Sequence, residues 1–360
     1  MTRTSPVVAM LVPGGFEHAG GIGRWAGYLH AVWIEAGLQP PLEVIDTRGH
    51  GHAGRAASAF AGALVRLVRL RAQGRLGLIH ANLSARGSTV RKVLIGRLAR
   101  ILGVPLVLHL HGSGYHEFYD RLPRRLQRPV HDLFHGAAQV IVLGAFWADW
   151  VTRTLGVPAA RITILPNGVP RPAPGSPRDD LPCHIVLLGR IGPRKGVPEL
   201  IEALATLRDR SWRATLAGDG EVAAARAAVE RAGLAPRIAV PGWLAQSDAA
   251  DLLASADILA LPSHAENFPI SIIEALAHGV AVVATQVGAT PELLEHGKSA
   301  LFVPVGDPAA LARALAELID DPARRRALAQ AGQRVFEAKL DIRVLARDLA
   351  RLYSELQSTG

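Results

Sequence analysis

Residues 258–285 read ILALPSHAENFPISIIEALAHGVAVVAT. Ile258–Leu261 and Ala281–Ala284 are uncharged runs of strand length, and the residues between them carry helix formers. Two carboxylates sit in that middle segment, Glu266 and Glu274, with Pro269 between them. In one unbroken helix from His264 to Gly279 the two acids would lie roughly 12 Å apart along the axis, at ~1.5 Å per residue. Proline disrupts a helix interior and is favoured in the first turn, so the helix is expected to start near Pro269. Glu266 then lies in the loop before it and Glu274 inside it. Strand, loop, helix, strand is the unit of a parallel sheet whose faces are covered by helices.

The same alternation runs outward in both directions. Strands are expected at Val7–Val12, Leu42–Ile45, Leu78–Ala81, Leu106–His109 and Gln139–Leu143, then at His184–Leu188, Arg213–Ala217, Ile238–Val240, Ile258–Leu261 and Ala281–Ala284. Helical Ala/Leu/Arg-rich segments separate them, which makes an α/β chain with two doubly wound domains. The boundary is PNGVPRPAPGSPRDDLPC, residues 166–183, whose six prolines fit neither a helix nor a central strand. The segment Pro308–Gln357 reads as helical with a break near Asp320–Pro322. Ligands of open α/β sheets bind at the carboxyl ends of the strands, so a site between the domains is expected.

At 360 residues the chain exceeds what one core comfortably serves. Although 49% of residues are hydrophobic, no apolar run approaches the roughly twenty residues of a spanning helix. The N-terminus leads directly into a strand-like run rather than a signal peptide, and the single cysteine, Cys183, rules out an internal disulfide. A cytosolic protein is the expectation. Charge is uneven: residues 1–168 hold 19 Lys/Arg against 8 Asp/Glu, and residues 169–360 hold 21 against 23. Such one-sided basicity points to an anionic partner, with solubility in an Arg-rich composition as the bland alternative.

Several loops could carry chemistry. PGGFEHAGGIGRW follows the first strand with Gly14, Gly15, Gly20, Gly21 and Gly23, but its spacing matches no phosphate-loop or dinucleotide fingerprint. LVLHLHG ends a strand in His109 and His111, which alternation puts on one side. His111 reads as a ligand contact or as a strand-end histidine bonded to backbone, and no metal-binding spacing accompanies it. GRIGPRKG places Arg190 and Lys195 before a helix, where cations oppose the helix dipole. An anion held between them, such as a diphosphate, would justify that placement; two solvated charges are the alternative. Gly242 and Trp243 follow another strand, and the aromatic lines a base pocket or caps the core.

The ordered motifs GGIGRW, HLHG, ILPNGV, GRIGPRKG, AGDGE, PGW and the Glu266-x7-Glu274 element resemble the retaining glycosyltransferases of family 4 over nearly the whole chain. The resemblance implies the GT-B fold: two Rossmann-like domains with parallel sheets facing across a cleft. It implies an N-terminal acceptor domain at 1–168, a linker at 169–183, a nucleotide-sugar domain at 184–340 and a crossing helix at 341–360. It also implies roles. Arg190 and Lys195 hold the donor diphosphate, Glu274 takes the ribose hydroxyls, and Glu266 contacts the transferred sugar. His111 approaches that sugar from the first domain, Gly21 brings backbone near phosphates or acceptor, and the stretch around Gly242 and Trp243 lines the base. No metal or other cofactor is implied, because no D-x-D-type carboxylate set is present; Asp179-Asp180 lies in the linker and Asp320-Asp321 at a helix break. The family often has glycine where this chain has Asn267 and Pro269. Pro269 removes one amide, while Phe268, Ile270 and Ser271 keep theirs.

The partners so implied are a nucleotide-diphosphate sugar and a saccharide acceptor, with GDP-mannose favoured among donors by similarity to exopolysaccharide α-mannosyltransferases. Residues 58–75 and 121–128, apolar with interspersed arginines, suggest contact with anionic inner-leaflet lipids and a polyprenyl-diphosphate-linked acceptor. Residues 58–75 equally fit a buried helix with arginines at its rim. Three rivals are weaker. A retaining glycosidase needs carboxyls about 5 Å apart. A nucleotide-sugar epimerase shares the architecture. A nucleic-acid binder would interleave aromatics with its basic residues, so no nucleic-acid partner is expected.

Overall fold

The computed structural model describes residues 6–16, 21–49, 53–173 and 182–358. Two compact units result, one of residues 1–168 with 342–360 and one of residues 169–341. Residues 174–181 of the expected linker, including Pro174, Pro177 and Asp179-Asp180, lie outside the described residues, as does Gly20.

In the first unit the order is β1 (Val7–Val12), α1 (Gly21–Glu35), β2 (Leu42–Asp46), α2 (Ala53–Ala72), β3 (Leu76–Leu83), α3 (Gly87–Leu102), β4 (Leu106–Leu110), α4 (Tyr115–Asp120), α5 (Arg124–His135), β5 (Gln139–Val142), α6 (Ala145–Leu155) and β6 (Ile162–Ile164). The second holds β7 (Cys183–Leu188), α7 (Val197–Ala205), β8 (Trp212–Ala217), α8 (Val222–Arg231), β9 (Ile238–Gly242), α9 (Gln246–Ala254), β10 (Ile258–Leu261), α10 (Ile270–Ala277), β11 (Ala281–Thr285), α11 (Thr290–Leu293), β12 (Leu301–Val303), α12 (Pro308–Asp320) and α13 (Pro322–Lys339). The last helix, α14 (Ile342–Ser358), belongs to the first unit.

Each unit carries a six-stranded parallel sheet, ordered β2-β1-β3-β4-β5-β6 and β12-β11-β10-β7-β8-β9. Strands such as β1, VVAMLV, are buried along their whole length, as a sheet covered on both faces requires. All ten expected strands are present, with ends shifted by a residue or two. The strands β6 and β12 were not anticipated; each is three residues long and lies at a sheet edge. The expected helix break falls where Asp321 accepts from Arg324 N–H (2.8 Å) and Pro322 opens α13.

Strand order reverses once in each sheet. In the second unit the chain leaves β7 toward β9 and returns to lay β10 on the other side of β7. The first unit has the same reversal between β1 and β3. Loops at the carboxyl ends of such strand pairs diverge and leave room for a ligand.

Candidate active site

At the reversal of the second unit, the loop after β7 and the loop after β10 are fastened to one another. His264 N–H donates to the Arg194 carbonyl (2.9 Å), and Arg194 Nη2 donates to the Ala265 carbonyl (3.1 Å). Gly196 has φ +70°, and a Cβ there would stand 2.1 Å from the Pro262 carbonyl oxygen, so only glycine permits this approach. His264 Nε2 also meets Glu199 Oε1 at 2.6 Å. Across the fastened loops Lys195 Nζ lies 2.6 Å from Glu266 Oε1, with side-chain exposures of 15% and 9%. The approach has the distance of an ion pair without hydrogen-bond angles.

Behind Glu266 the chain is supported from β11. Gly288, φ +62°, packs so tightly that a Cβ would lie 2.1 Å from the Asn267 oxygen, and Ala289 N–H donates to that oxygen at 2.7 Å. Pro269 is the N-cap of α10, which starts at Ile270. Every residue of α10 is buried, including Glu274 at 6% exposure. Asn267, Phe268 and Ile270 are buried as well, and neither polar atom of the Asn267 amide has a partner among the described residues. The first amides of α10 have no acceptor within the helix, which makes its N-terminus attractive to negative charge.

Arg190 stands differently: its side chain is 76% exposed, 3.7 Å from Asp219 Oδ2. Gly242 is the last residue of β9, its carbonyl accepting from Gly218 N–H at 2.8 Å, and Trp243 is 55% exposed beyond it. The core-capping alternative for Trp243 is therefore set aside. Lys195, Glu266, Asn267, Phe268, Ile270 and Glu274 share one strand-end region, with Arg190 on its solvent side.

His111 lies in the first unit, just past β4, its N–H bonded to the Leu83 carbonyl at 2.9 Å. Its Nε2 is 2.8 Å from Asn82 Oδ1, and its ring centroid is 3.9 Å from His109 and 5.3 Å from Trp25. His109 is fully buried beneath it, 3.3 Å from His80 Nε2, and His80 meets the Tyr353 hydroxyl of α14 at 2.6 Å. Burial pushes His80 down to about 3 and holds His109 well below its ordinary value, so both stay neutral. Burial, with His80 and Lys92 nearby, lowers His111 too. Gly21 is the exposed first residue of α1.

Three groups near the strand ends were missed from sequence. Asp46, ending β2, accepts from Gly14 N–H (2.7 Å), Arg48 N–H (2.7 Å) and Gly49 N–H (2.9 Å), and so ties the turn after β1 to the turn after β2. Asn82 sits inside a strand, where no local pattern marks it. Lys92 on α3 is fully buried with no partner for Nζ among the described residues, and burial lowers it to about 7. A lysine between apolar positions at helical spacing was the available signal. Among the described residues no three His, Cys, Asp or Glu side chains are grouped to share a metal ion.

Comparison with known proteins adds to this geometry. The family "Glycosyl transferases group 1" matches residues 182–321, and the "Glycosyl transferase 4-like domain" matches residues 9–168. Alpha-D-kanosaminyltransferase of Streptomyces kanamyceticus is 27% identical, covering 88% of this chain and 88% of that protein. Glycogen synthase of Mycobacterium tuberculosis is 28% identical, covering 71% of this chain and 64% of that one. Anabaena HepE, solved with UDP, superposes with a TM-score of 0.75 at 21% identity, covering 97% of this chain and 100% of that chain. With matches over both units and the two doubly wound sheets, the chain belongs to the family 4 (group 1) glycosyltransferases and has their GT-B fold.

Proposed function

We propose that the enzyme moves a hexose from a nucleotide-diphosphate sugar, GDP-mannose or a UDP-hexose, to a saccharide acceptor in cell-surface polysaccharide assembly. Transfer retains the anomeric configuration and needs no metal. The observation that carries this reading is the Lys195–Glu266 pair, locked between two strand-end loops at the sheet reversal.

A leaving nucleoside diphosphate gains negative charge, and fixed positive groups in a partly dry site offset that charge without reorganising. Lys195, Arg190 and the first amides of α10 supply them. Glu266, tied to Lys195, serves as a fixed acceptor for the sugar's hydroxyls rather than as a free nucleophile. Attack then comes from the face of the departing phosphate, which takes the acceptor's proton as the anomeric C–O bond breaks. Glu274, one turn into α10, takes the ribose hydroxyls. The sugar-transferring relatives and the UDP complex of HepE support a nucleotide-sugar donor.

The acceptor is read from the first unit. The helix α2 turns Ala63, Leu67 and Leu70 into the core and pairs Arg66 with Glu43, while Val65 and Val68 stay exposed. The basic segment before α5 and its first turn are more open: Arg124, Arg125 and Arg128 are exposed around Leu126, which is 49% exposed. Such a tip suits a diphosphate-linked lipid acceptor at an anionic membrane surface. No helix among the described residues is long and apolar enough to cross a membrane.

The test separates the two carboxylates. Glu266→Ala is expected to abolish sugar transfer while leaving nucleoside-diphosphate affinity within about twofold, as loss of an interaction made only with the sugar requires. Glu274→Ala is expected to weaken UDP or GDP binding about tenfold or more, the ~1.4 kcal/mol of a buried charged hydrogen bond. Calorimetric titration with UDP, GDP and ADP reads both and selects the base. Surviving transfer in the first variant, or an unchanged dissociation constant in the second, would overturn the assignment.

A further inference from the structure

His111 is held by one side chain that is itself held. Asn82 Nδ2 donates to the Leu11 carbonyl at 3.2 Å, and Asn82 Oδ1 lies 2.8 Å from His111 Nε2. A carbonyl oxygen only accepts, so the amide nitrogen of Asn82 must face Leu11 and its oxygen must face His111. That oxygen also only accepts, which places the His111 proton on Nε2 and leaves the lone pair on Nδ1. The lock is dry: Asn82 is 0% exposed, on β3 beside the sheet reversal.

A flip of the ring would set Cε1 in place of Nε2 and lose the bond to Asn82, and the imidazole is packed against His109 and Trp25. His111 is half-buried, and Nδ1 has no hydrogen-bond partner among the described residues. The groups around it favour a neutral ring, since His80, His109 and Lys92 offer no negative charge. A lone pair repels phosphate oxygens, which are acceptors too, and attracts hydroxyls.

We infer that Asn82 is a positioning residue that fixes His111 as the Nε2–H tautomer, so that His111 Nδ1 accepts a hydrogen bond from a sugar hydroxyl of the substrate. The inference rests on the proposed function for the identity of that hydroxyl, while the tautomer stands apart from it.

The tautomer is read on the full chain without substrate, by 15N-histidine NMR at pH 7, with His111 assigned from its own substitution. The wild-type ring is expected as Nε2–H. Asn82→Ala is expected to release it into a mixture of tautomers. It should lower kcat for nucleoside-diphosphate release from UDP-glucose or GDP-mannose by about 10- to 100-fold, as lost outer partners of a functional histidine do, with KM within about twofold. A second pair guards against misfolding: asparagine places its oxygen near the Nδ1 position and glutamine near Nε2. His111→Asn should therefore retain more turnover than His111→Gln. A wild-type His111 carrying its proton on Nδ1, an unchanged tautomer in Asn82→Ala, or equal loss in the pair would each overturn the inference. A correct tautomer in a chain that turns over no nucleotide sugar would count against the proposed function alone.

Discussion

Lys195 and Glu266 form the ion pair among the contacts that fasten the two strand-end loops. Exposed ion pairs contribute about 0–1 kcal/mol, but this pair has only 15% and 9% of its side chains open. Removing one member leaves the other charge unpaired in a poorly solvated place, which costs about 3 kcal/mol or more. Lys195→Ala and Glu266→Ala are each expected to lose about that much in denaturant unfolding, and the double variant far less than their sum. Additive losses would show that the two do not act as a unit. The separation of Glu266 from Glu274 was legible in sequence, because proline's effect on a helix is local and Pro269 does cap α10. The pairing of Glu266 with Lys195 was not legible. It exists only because the chain returns to lay β10 against β7, and nothing in the sequence near either residue encodes that return.

Among the elements, β3, β4, α1 and α14 enclose the histidines of the first unit. Their strand-end residues were readable from alternation, yet the partner Tyr353 comes from the far end of the chain. Strands β6 and β12 escaped detection for a different reason: three residues at a sheet edge are too few for a period. The buried histidines give this assembly a pH dependence. His80 and His109 are both 0% exposed and depressed below the ordinary 6.5, so the unfolded chain takes up protons that the folded chain refuses. Their neutral state is compatible with folding above about pH 6.5, and stability falls as pH drops from there toward about 3. With two groups the slope reaches about 2.7 kcal/mol per pH unit. Chemical denaturation between pH 7 and 4 should show that slope, reduced in His109→Gln. A flat profile over that range would show the histidines to be protonated in the folded state.

At the scale of the whole molecule the charge is divided between units. The basic excess lies entirely in residues 1–168, with no acidic residue between Asp46 and Glu117. Local ion pairs absorb some of it, as Arg66–Glu43 and Arg121–Glu117 do, but Arg124, Arg125 and Arg128 remain exposed around Leu126. Each basic residue near an anionic bilayer contributes about 1 kcal/mol, and the attraction decays over a Debye length of about 10 Å at 0.1 M salt. The full chain is therefore expected to float with phosphatidylglycerol vesicles and not with phosphatidylcholine vesicles. Raising salt from about 50 to 300 mM should release it, since the shortened screening length uncouples exposed arginines from the surface. Replacing Arg124, Arg125 and Arg128 together by Glu should weaken the partition by about 100-fold or more, the consequence of removing about 3 kcal/mol of attraction. Their removal leaves the sheet and the strand-end sites of both units untouched, so nucleoside-diphosphate binding should be unaltered in the triple variant. Equal flotation with both lipids would return the basic half to a role in solubility or in holding a phosphorylated acceptor directly.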